Sequence, residues 1–422
     1  MNKYFIILSL AYFCRLALDA YGERLTSLGQ TPDWSQLEEY QETITGVRFK
    51  RLLDEVYAPD NAYTHTITLN DNHARIYTRE GDLNSIFLLR FARDESSVRL
   101  RPANYWRLRT TLPKALEDNP LENLRIVLDP GHIGGDFAIM ENRSYKIGES
   151  KPIREGDLTL TVAQQLKVRL EQLGAIVWLS RNTAAPTTKE TPESLKKIAE
   201  RLLREKSEPP SLLLTLNKID ANELQRLSEL LFYRVSEIRT RANRINNQFQ
   251  PDLVIALHFN AAPWPDKEKK TLVEINHLHV LINGTYSVDE LNYDDIRFQM
   301  LNKLLSGAAA EEIALARVII SAMADKTSLP AYRYPGRNAV RIDDNSYVWA
   351  RNLIANRLYH CPVIFLEPYV MNSREVFLRI QAGDYEGERL VAGARRISIF
   401  QEYIEGVITG LLNYYANRDD PD

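Results

Sequence analysis

Of the seven histidines in the chain, only His132 and His258 directly follow an apolar, strand-like run, IVLDPG in one case and DLVIAL in the other. A third such run, VIFLEP, delivers Glu367 to the same kind of position. Imidazole and carboxylate groups bind a borderline metal through N and O, and they also exchange protons near neutral pH. Cys14 and Cys361 are the only cysteines, so a cysteine zinc cluster and a disulfide framework are both excluded by count. Any metal must be held by His and carboxylates. No HExxH, paired CxxC, Walker loop, GxGxxG after a strand or GxSxG occurs, which removes the common zincin, nucleotide and serine-hydrolase readings. In an open α/β sheet the crevice beyond the carboxyl ends of the strands is where ligands bind, so strand-end groups from distant segments can converge there. Metal-assisted hydrolysis is the chemistry that such a set serves.

The surrounding elements must position these groups. With 422 residues the chain has room for two or three domains, or for one large α/β unit with attachments. Hydrophobic residues make up 44% and charged residues 26%, which excludes a disordered chain, and the balance of 53 Lys and Arg against 56 Asp and Glu offers no footprint for nucleic acid. After Asn123 the pattern reads strand, helix, strand: RIVLDPGH, then DLTLTVAQQLKVRLEQLG, then AIVWLS. Leu158, Val162, Leu166, Leu170 and Leu173 recur three or four apart, Asp157 is placed to cap the helix and Gly174 to end it. PDLVIALHFN and CPVIFLEPY read as further buried strands of the same sheet. The resulting expectation is an α/β fold, an open and mostly parallel sheet flanked by helices.

Between these strands, residues 183–250 form a helical insertion: TPESLKKIAERLL, capped by Thr191, then an amphipathic helix capped by Asp220. Ahead of the sheet, residues 21–112 read as a small α+β accessory domain and 113–123 as a linker. Residues 1–20 resemble a secretory signal peptide, with Lys3 before the apolar run Tyr4 to Phe13 and small residues at Ala17 and Ala20. That predicts export to the periplasm or cell envelope. Nothing later in the sequence is long and apolar enough to span a membrane.

IVLDPGHIGG, REGDLTLTVAQQLKVRLEQLGAIVWLSR, PDLVIALHFNA and CPVIFLEPYVMNSREV together resemble the zinc-dependent N-acetylmuramoyl-L-alanine amidases of the amidase_3 type, with a catalytic domain over 124–418. The resemblance implies Zn²⁺ held by His132, Glu155 and His258, with Glu367 as catalytic base. It implies cleavage of the amide between N-acetylmuramic acid and L-alanine, with peptidoglycan as substrate. In some members of that family an inserted helix at this point covers the zinc until an activating partner protein displaces it, so the insertion reads either as such a lid, with Glu190, Glu193 or Glu223 in the water position, or as a structural elaboration away from the metal. The sequence departs from the family's GHGG where Ile133 stands between His132 and Gly134, a change that bears on loop shape. Two other functions fit the same residues: a non-catalytic peptidoglycan-binding or regulatory protein, and a zinc peptidase or deacylase acting on another amide.

Zn²⁺ in hydrolases takes three N/O ligands and leaves one position for water, and His, Glu and His meet that need. Glu155 reads as preceding the helix by two residues, in a turn able to aim it at the strand ends, with Glu141 and Glu149 as competitors. Asn260, two residues after His258, shares its strand face and is placed to bind substrate or to make a structural hydrogen bond. Arg181 reads as a fold-stabilising ion-pair partner. His277 and His279, alternating with apolar residues, read as a solvated strand face. His65, His73 and His360 have no supporting context, and Cys361 reads as an inert buried thiol.

Overall fold

The computed structural model describes residues 28, 31–79, 82, 84–113, 117–207, 219–266, 269–342 and 344–415. The signal-like segment 1–20 lies outside the described residues, as does 416–418 at the end of the expected catalytic domain. The described N-terminal part contains helix α1 (Gly46–Leu52), capped by the Thr45 side chain, and a three-stranded antiparallel sheet. Its strands are β1 (Ile67–Leu69), β2 (His73–Tyr77) and β3 (Ile86–Arg90). This sheet does not stand apart from the remainder. Its apolar residues are continuous with the main core, and Thr285 and Tyr286 donate backbone hydrogen bonds to the carbonyls of Val56 and Tyr57 at 2.8 and 2.6 Å.

The main sheet starts with β4 (Arg125–Pro130). A small hairpin, β5 (Ser144–Tyr145) with β6 (Ile153–Arg154), leads into helix α2 (Glu155–Gln172) and strand β7 (Ile176–Leu179). Leu158, Val162, Leu166 and Leu170 are buried along one face of α2, and Gly174, at φ 93°, ends it as its sequence pattern requires. The insertion follows as α3 (Pro192–Ser207), α4 (Ala221–Leu230) and α5 (Glu237–Arg244), with a π-helical segment, Leu231–Ser236, joining the last two. Asp220 caps α4 through its side chain. Strand β8 (Leu253–Leu257) re-enters the sheet, followed by β9 (Leu278–Ile282), α6 (Asp294–Ser306) and α7 (Ala308–Thr327). The chain closes with β10 (Val340–Arg341), β11 (Val348–Ala350), β12 (Val363–Pro368), α8 (Arg374–Gln381), the hairpin β13 (Arg389–Val391) with β14 (Ala394–Arg396), and α9 (Ile399–Tyr415).

The seven strands lie in the order β10-β11-β9-β12-β8-β4-β7. β7, β4, β8 and β12 are mutually parallel; β9 joins β12 antiparallel and β11 runs parallel to β9. Every residue of β8 and β9 is buried, because helices and loops cover both faces, and this is why β8 reads as an unbroken apolar run. The fold is thus α/β with a mostly parallel sheet flanked by helices.

One local reading changes. α2 begins at Glu155 itself, with Arg154 as the residue before it, so Asp157 sits inside the first turn instead of capping it. The Asp157 carboxylate accepts a hydrogen bond from Gly135 N at 2.8 Å and thereby ties the helix start to the loop after β4.

Candidate active site

Strand register builds the site. Pro130 pairs with Leu257 and Leu366 with Leu257, so the next step along both ladders sets Gly131, His258 and Glu367 side by side. On the other side of Glu367 the antiparallel register pairs it directly with His279. Directly opposed residues project to the same face of a sheet. Four strands therefore present one row at the crevice. A Cβ at Gly131 would lie 2.1 Å from the His258 ring, so only glycine lets that imidazole lean across toward His132.

His132 has φ 60°, a left-handed backbone that a non-glycine residue adopts only when its surroundings hold it there. Here they do. Arg241 from α5 donates to the carbonyls of His132 and Pro130 at 2.9 and 2.8 Å, while its charge is met by Asp129 and Glu237 at 3.0 and 2.8 Å. Arg181 donates to the carbonyls of Pro130, Gly131, Gly156 and Thr183. Among the described residues Arg181 thus binds carbonyls and not the carboxylate expected of an ion-pair partner, because the loop ends it clamps expose only backbone oxygens. Ile133, the residue that breaks the GHGG pattern, is wholly buried among Leu195, Leu202, Leu231 and Phe232 of the insertion. Burying such a side chain stabilises by about 2 kcal/mol. The extra isoleucine fastens the insertion to the loop that carries His132.

Glu155, at the start of α2, is enclosed between the two histidines. His258 Nδ1 lies 3.1 Å from Glu155 Oε1, and His132 Nε2 lies 3.3 Å from Glu155 Oε2. Oε2 makes no hydrogen bond although it is buried. Burial would raise the Glu155 carboxyl, yet the His132 charge, the His258 hydrogen bond and the Arg143 charge hold it well below the ordinary carboxylate range. Burial opposes a charge on His132 too, but Glu155 and Glu141 overcome it and raise His132 to about 9, whereas burial keeps His258 below its ordinary value. Glu367 lies opposite; removal from water and the Glu155 charge push it up to about 8. Ligand atoms of His132, Glu155 and His258 all lie within 4.8 Å of one another. An N/O/N donor set at that spacing, with a buried oxygen lacking a partner, fits a single divalent metal such as zinc.

Glu141, a competing ligand by sequence, has a different place. Its Oε2 lies 2.5 Å from His132 Nδ1, and its Oε1 accepts from Ile133 N at 2.7 Å. A carboxylate behind a ligating histidine fixes ring orientation and tautomer. The only sequence signal for it is the general need of such a histidine for a partner. Glu149 makes a 3.7 Å pair with Lys146 and is exposed.

A cavity of about 180 Å³ opens beside these groups, lined by His132, Arg143, Glu155, Asn260, Glu367 and, on the far wall, His279, Tyr332, Tyr334 and Arg351. Asn260 reaches it, although its Oδ1 accepts from Ala261 N at 2.7 Å. His279 corrects the solvated-face reading: it is 1% exposed, because Tyr332 and Tyr334 pack on it at 4.9 and 5.4 Å. His277, half-buried, joins the same stack 4.5 Å from Tyr332. Periodicity within β9 cannot register the 331–334 loop that covers this face. Cys361 is a buried free thiol pushed up to about 12, in keeping with an inert role. None of Glu190, Glu193 and Glu223 lines the cavity; Glu190 accepts from Ser194, and Glu193 pairs with Lys196.

An open α/β sheet whose strand ends gather His, Glu and His, with a further carboxylate opposite, has the make-up of a metallohydrolase centre. The family model for N-acetylmuramoyl-L-alanine amidase matches residues 126–395, and the chain belongs to that family. The probable cell wall amidase LytH of Staphylococcus aureus is 43% identical over 65 residues, which is 15% of this chain and 20% of that protein. The chain thus spans about a fifth of the length of the curated relatives it matches. Among solved structures, the amidase Ami1 from Mycobacterium abscessus is 16% identical with a TM-score of 0.38, covering 69% of this chain and 99% of that one. The CwlD amidase from Clostridioides difficile, in complex with the GerS lipoprotein, is 14% identical with a TM-score of 0.34, covering 69% and 98%.

Proposed function

We propose that the chain is a zinc-dependent peptidoglycan amidase of the cell envelope that cleaves the amide between N-acetylmuramic acid and L-alanine. The observation that carries this reading is the convergence of His132, Glu155 and His258 on one point beside Glu367. Zinc bound by those three side chains would polarise the scissile carbonyl and lower the pKa of the attacking water. Glu367, one strand from His258, takes the proton from that water and passes it to the leaving nitrogen. A carboxylate can accept that proton and, once protonated, donate it, which suits both halves of the transfer. Glu141 holds the His132 ring, and Arg241 and Arg181 hold its backbone, so the groups are in place before substrate arrives. Asn260, at the cavity edge, orients the substrate.

The insertion fits a support for the His132 loop better than a lid, since it is anchored through Ile133 and Arg241 while its proposed covering carboxylates lie elsewhere. A partner that displaced it would act on His132 through those two residues.

Digestion of purified peptidoglycan, with products identified by mass spectrometry, should release stem peptides bearing a free L-alanine amino group. Elemental analysis should find about one zinc per chain, and His132→Ala or His258→Ala should lose most of it. Folded variants that keep full zinc would overturn the ligand assignment. Cleavage at another amide would make the protein a peptidase or deacylase, and zinc-loaded protein that binds peptidoglycan without cutting it would make it a binding protein.

A further inference from the structure

The wall of the cavity beyond Glu367 is built differently from the wall that carries His132, Glu155 and His258. Its polar groups, from His279, Tyr332, Tyr334 and Arg351, can all donate hydrogen bonds, and it contains no carboxylate. His279 is buried and its Nδ1 has no hydrogen-bond partner. Its Nε2 lies 3.0 Å from the Tyr334 hydroxyl. The Arg351 guanidinium lies over the Tyr334 ring, 5.5 Å from its centroid. A tyrosine hydroxyl is a ready donor, and Nε2 is its hydrogen-bond partner among the described residues. With that hydroxyl donating to Nε2, a neutral imidazole carries its single proton on Nδ1, and the residue that lines the cavity holds an N–H that the chain leaves without an acceptor.

Arg351 itself makes no ion pair with a carboxylate among the described residues, whereas the half-buried or buried Arg107, Arg125, Arg241 and Arg379 each hold one. Buried polar groups are normally satisfied, and a cluster of donors without acceptors at the edge of a cavity is the signature of a site awaiting an acceptor-rich ligand. Tyr332 meets Tyr334 at 81° and Tyr334 meets His279 at 83°, edge to face, so the rings brace one another. The cavity of about 180 Å³ is large enough to take the carboxylate of a bound peptide.

We infer that Arg351 and the His279 Nδ1–H form a carboxylate-binding subsite that receives the free α-carboxylate of the second stem-peptide residue, on the leaving side of the scissile amide. The inference rests on the amidase reading above and names what that site selects. Arg351 supplies the charge, Tyr334 sets the tautomer of His279, and His279 supplies the second donor. A substrate whose carboxylate is amidated offers one acceptor and no charge, and it leaves Arg351 unpaired.

The test compares a soluble muramoyl-L-alanyl-D-glutamyl peptide with its α-amide, using zinc-loaded wild type, Arg351→Gln and Arg351→Lys, each checked for a native thermal melt. A hydrogen bond to a charged group sets the scale. Wild type should favour the free acid by about tenfold or more in kcat/KM, mainly through KM. Arg351→Gln should lose that preference by falling on the acid alone, and Arg351→Lys should restore part of it. In parallel, calorimetric titration of the free L-alanyl-D-glutamyl peptide into chelator-treated protein measures the subsite without turnover. It should show binding that both amidation and Arg351→Gln abolish. If wild type cuts neither peptide but binds the acid selectively, the amidase reading fails and the subsite stands. Equal treatment of acid and amide by wild type, or a preference kept by Arg351→Gln, overturns the subsite whether or not cleavage occurs.

Discussion

The two walls of the cavity face each other across Glu367 and are held by opposite means. On the His132 side nearly every group is engaged: Glu141 holds His132 and Ile133, Arg241 joins Asp129 and Glu237 to the loop backbone, and Arg181 clamps four carbonyls. The exception is the buried Glu155 Oε2. On the His279 side the framework is aromatic edge-to-face packing, and the polar groups left over, His277 Nδ1 and His279 Nδ1, are both unpartnered. A buried group that serves as scaffold is satisfied by its own chain, because leaving it unpaired costs about 1–3 kcal/mol. Around this cavity the orphaned atoms of Glu155 and His279 lie on residues that a ligand would meet. One wall has a single orphan at the centre of a metal-sized cluster, and the other has donors along a peptide-sized surface.

The largest effect should come from the residue between the walls. Glu367→Gln keeps shape and some hydrogen bonding but removes the proton acceptor, so it should retain zinc while amide cleavage falls by about 10²- to 10⁴-fold. Zinc content with steady-state rates decides this, and near-normal turnover would remove Glu367 as the base.

A smaller effect should follow from loosening the satisfied wall. Glu141→Gln leaves the three proposed ligands intact but weakens the partner of His132 Nδ1, which should cost about 10- to 100-fold in zinc affinity by chelator competition. Unchanged affinity would show that the ring is held by packing alone.

The smallest effect distinguishes the walls by sign, in chelator-treated protein. His279 is held down to about 3 by burial, so as pH falls below about 6.5 the unfolded chain takes up a proton that the folded chain refuses, and stability is lost toward pH 3. His132 is raised to about 9, so its contribution is fully present below about 6.5 and is lost as pH rises through 9. Between pH 6.5 and 5, wild type should therefore lose about 1–2 kcal/mol more than His279→Asn, by denaturant melts. Between pH 7 and 9 it should lose more than His132→Gln. Parallel curves in both windows would show that neither histidine is held in the protonation state assigned here.

Much of this site is legible in the order of residues along the chain. His132, His258 and Glu367 stand out because each lies at or just past the end of a mostly apolar, buried strand, and such a strand reads as central in a covered sheet. Glu155 is reached through family resemblance and not through its helix, which starts two residues earlier than the apolar spacing implies. Glu141 carries no periodic signal for its role, because it sits after a four-residue helix, Phe137–Met140, too short for any period. His279 is misleading in sequence because alternation in NHLHVLI is the pattern of a half-solvated strand, and the loop that dries its polar face lies some fifty residues further on.

By itself the sequence determined the longer strands and helices of the sheet, and hence that His132, His258 and Glu367 stand at the crevice. Periodicity, caps and terminating glycines are local and act within a few residues of chain. Tertiary structure alone decided that Gly131, His258, Glu367 and His279 form one row, that Ile133 is buried in the insertion, and that Tyr334 links Arg351 to His279. Those relations depend on inter-strand register and on loops folding back over the sheet. They arise between residues tens to hundreds of positions apart, where a one-residue slip in pairing would turn every side chain to the opposite face.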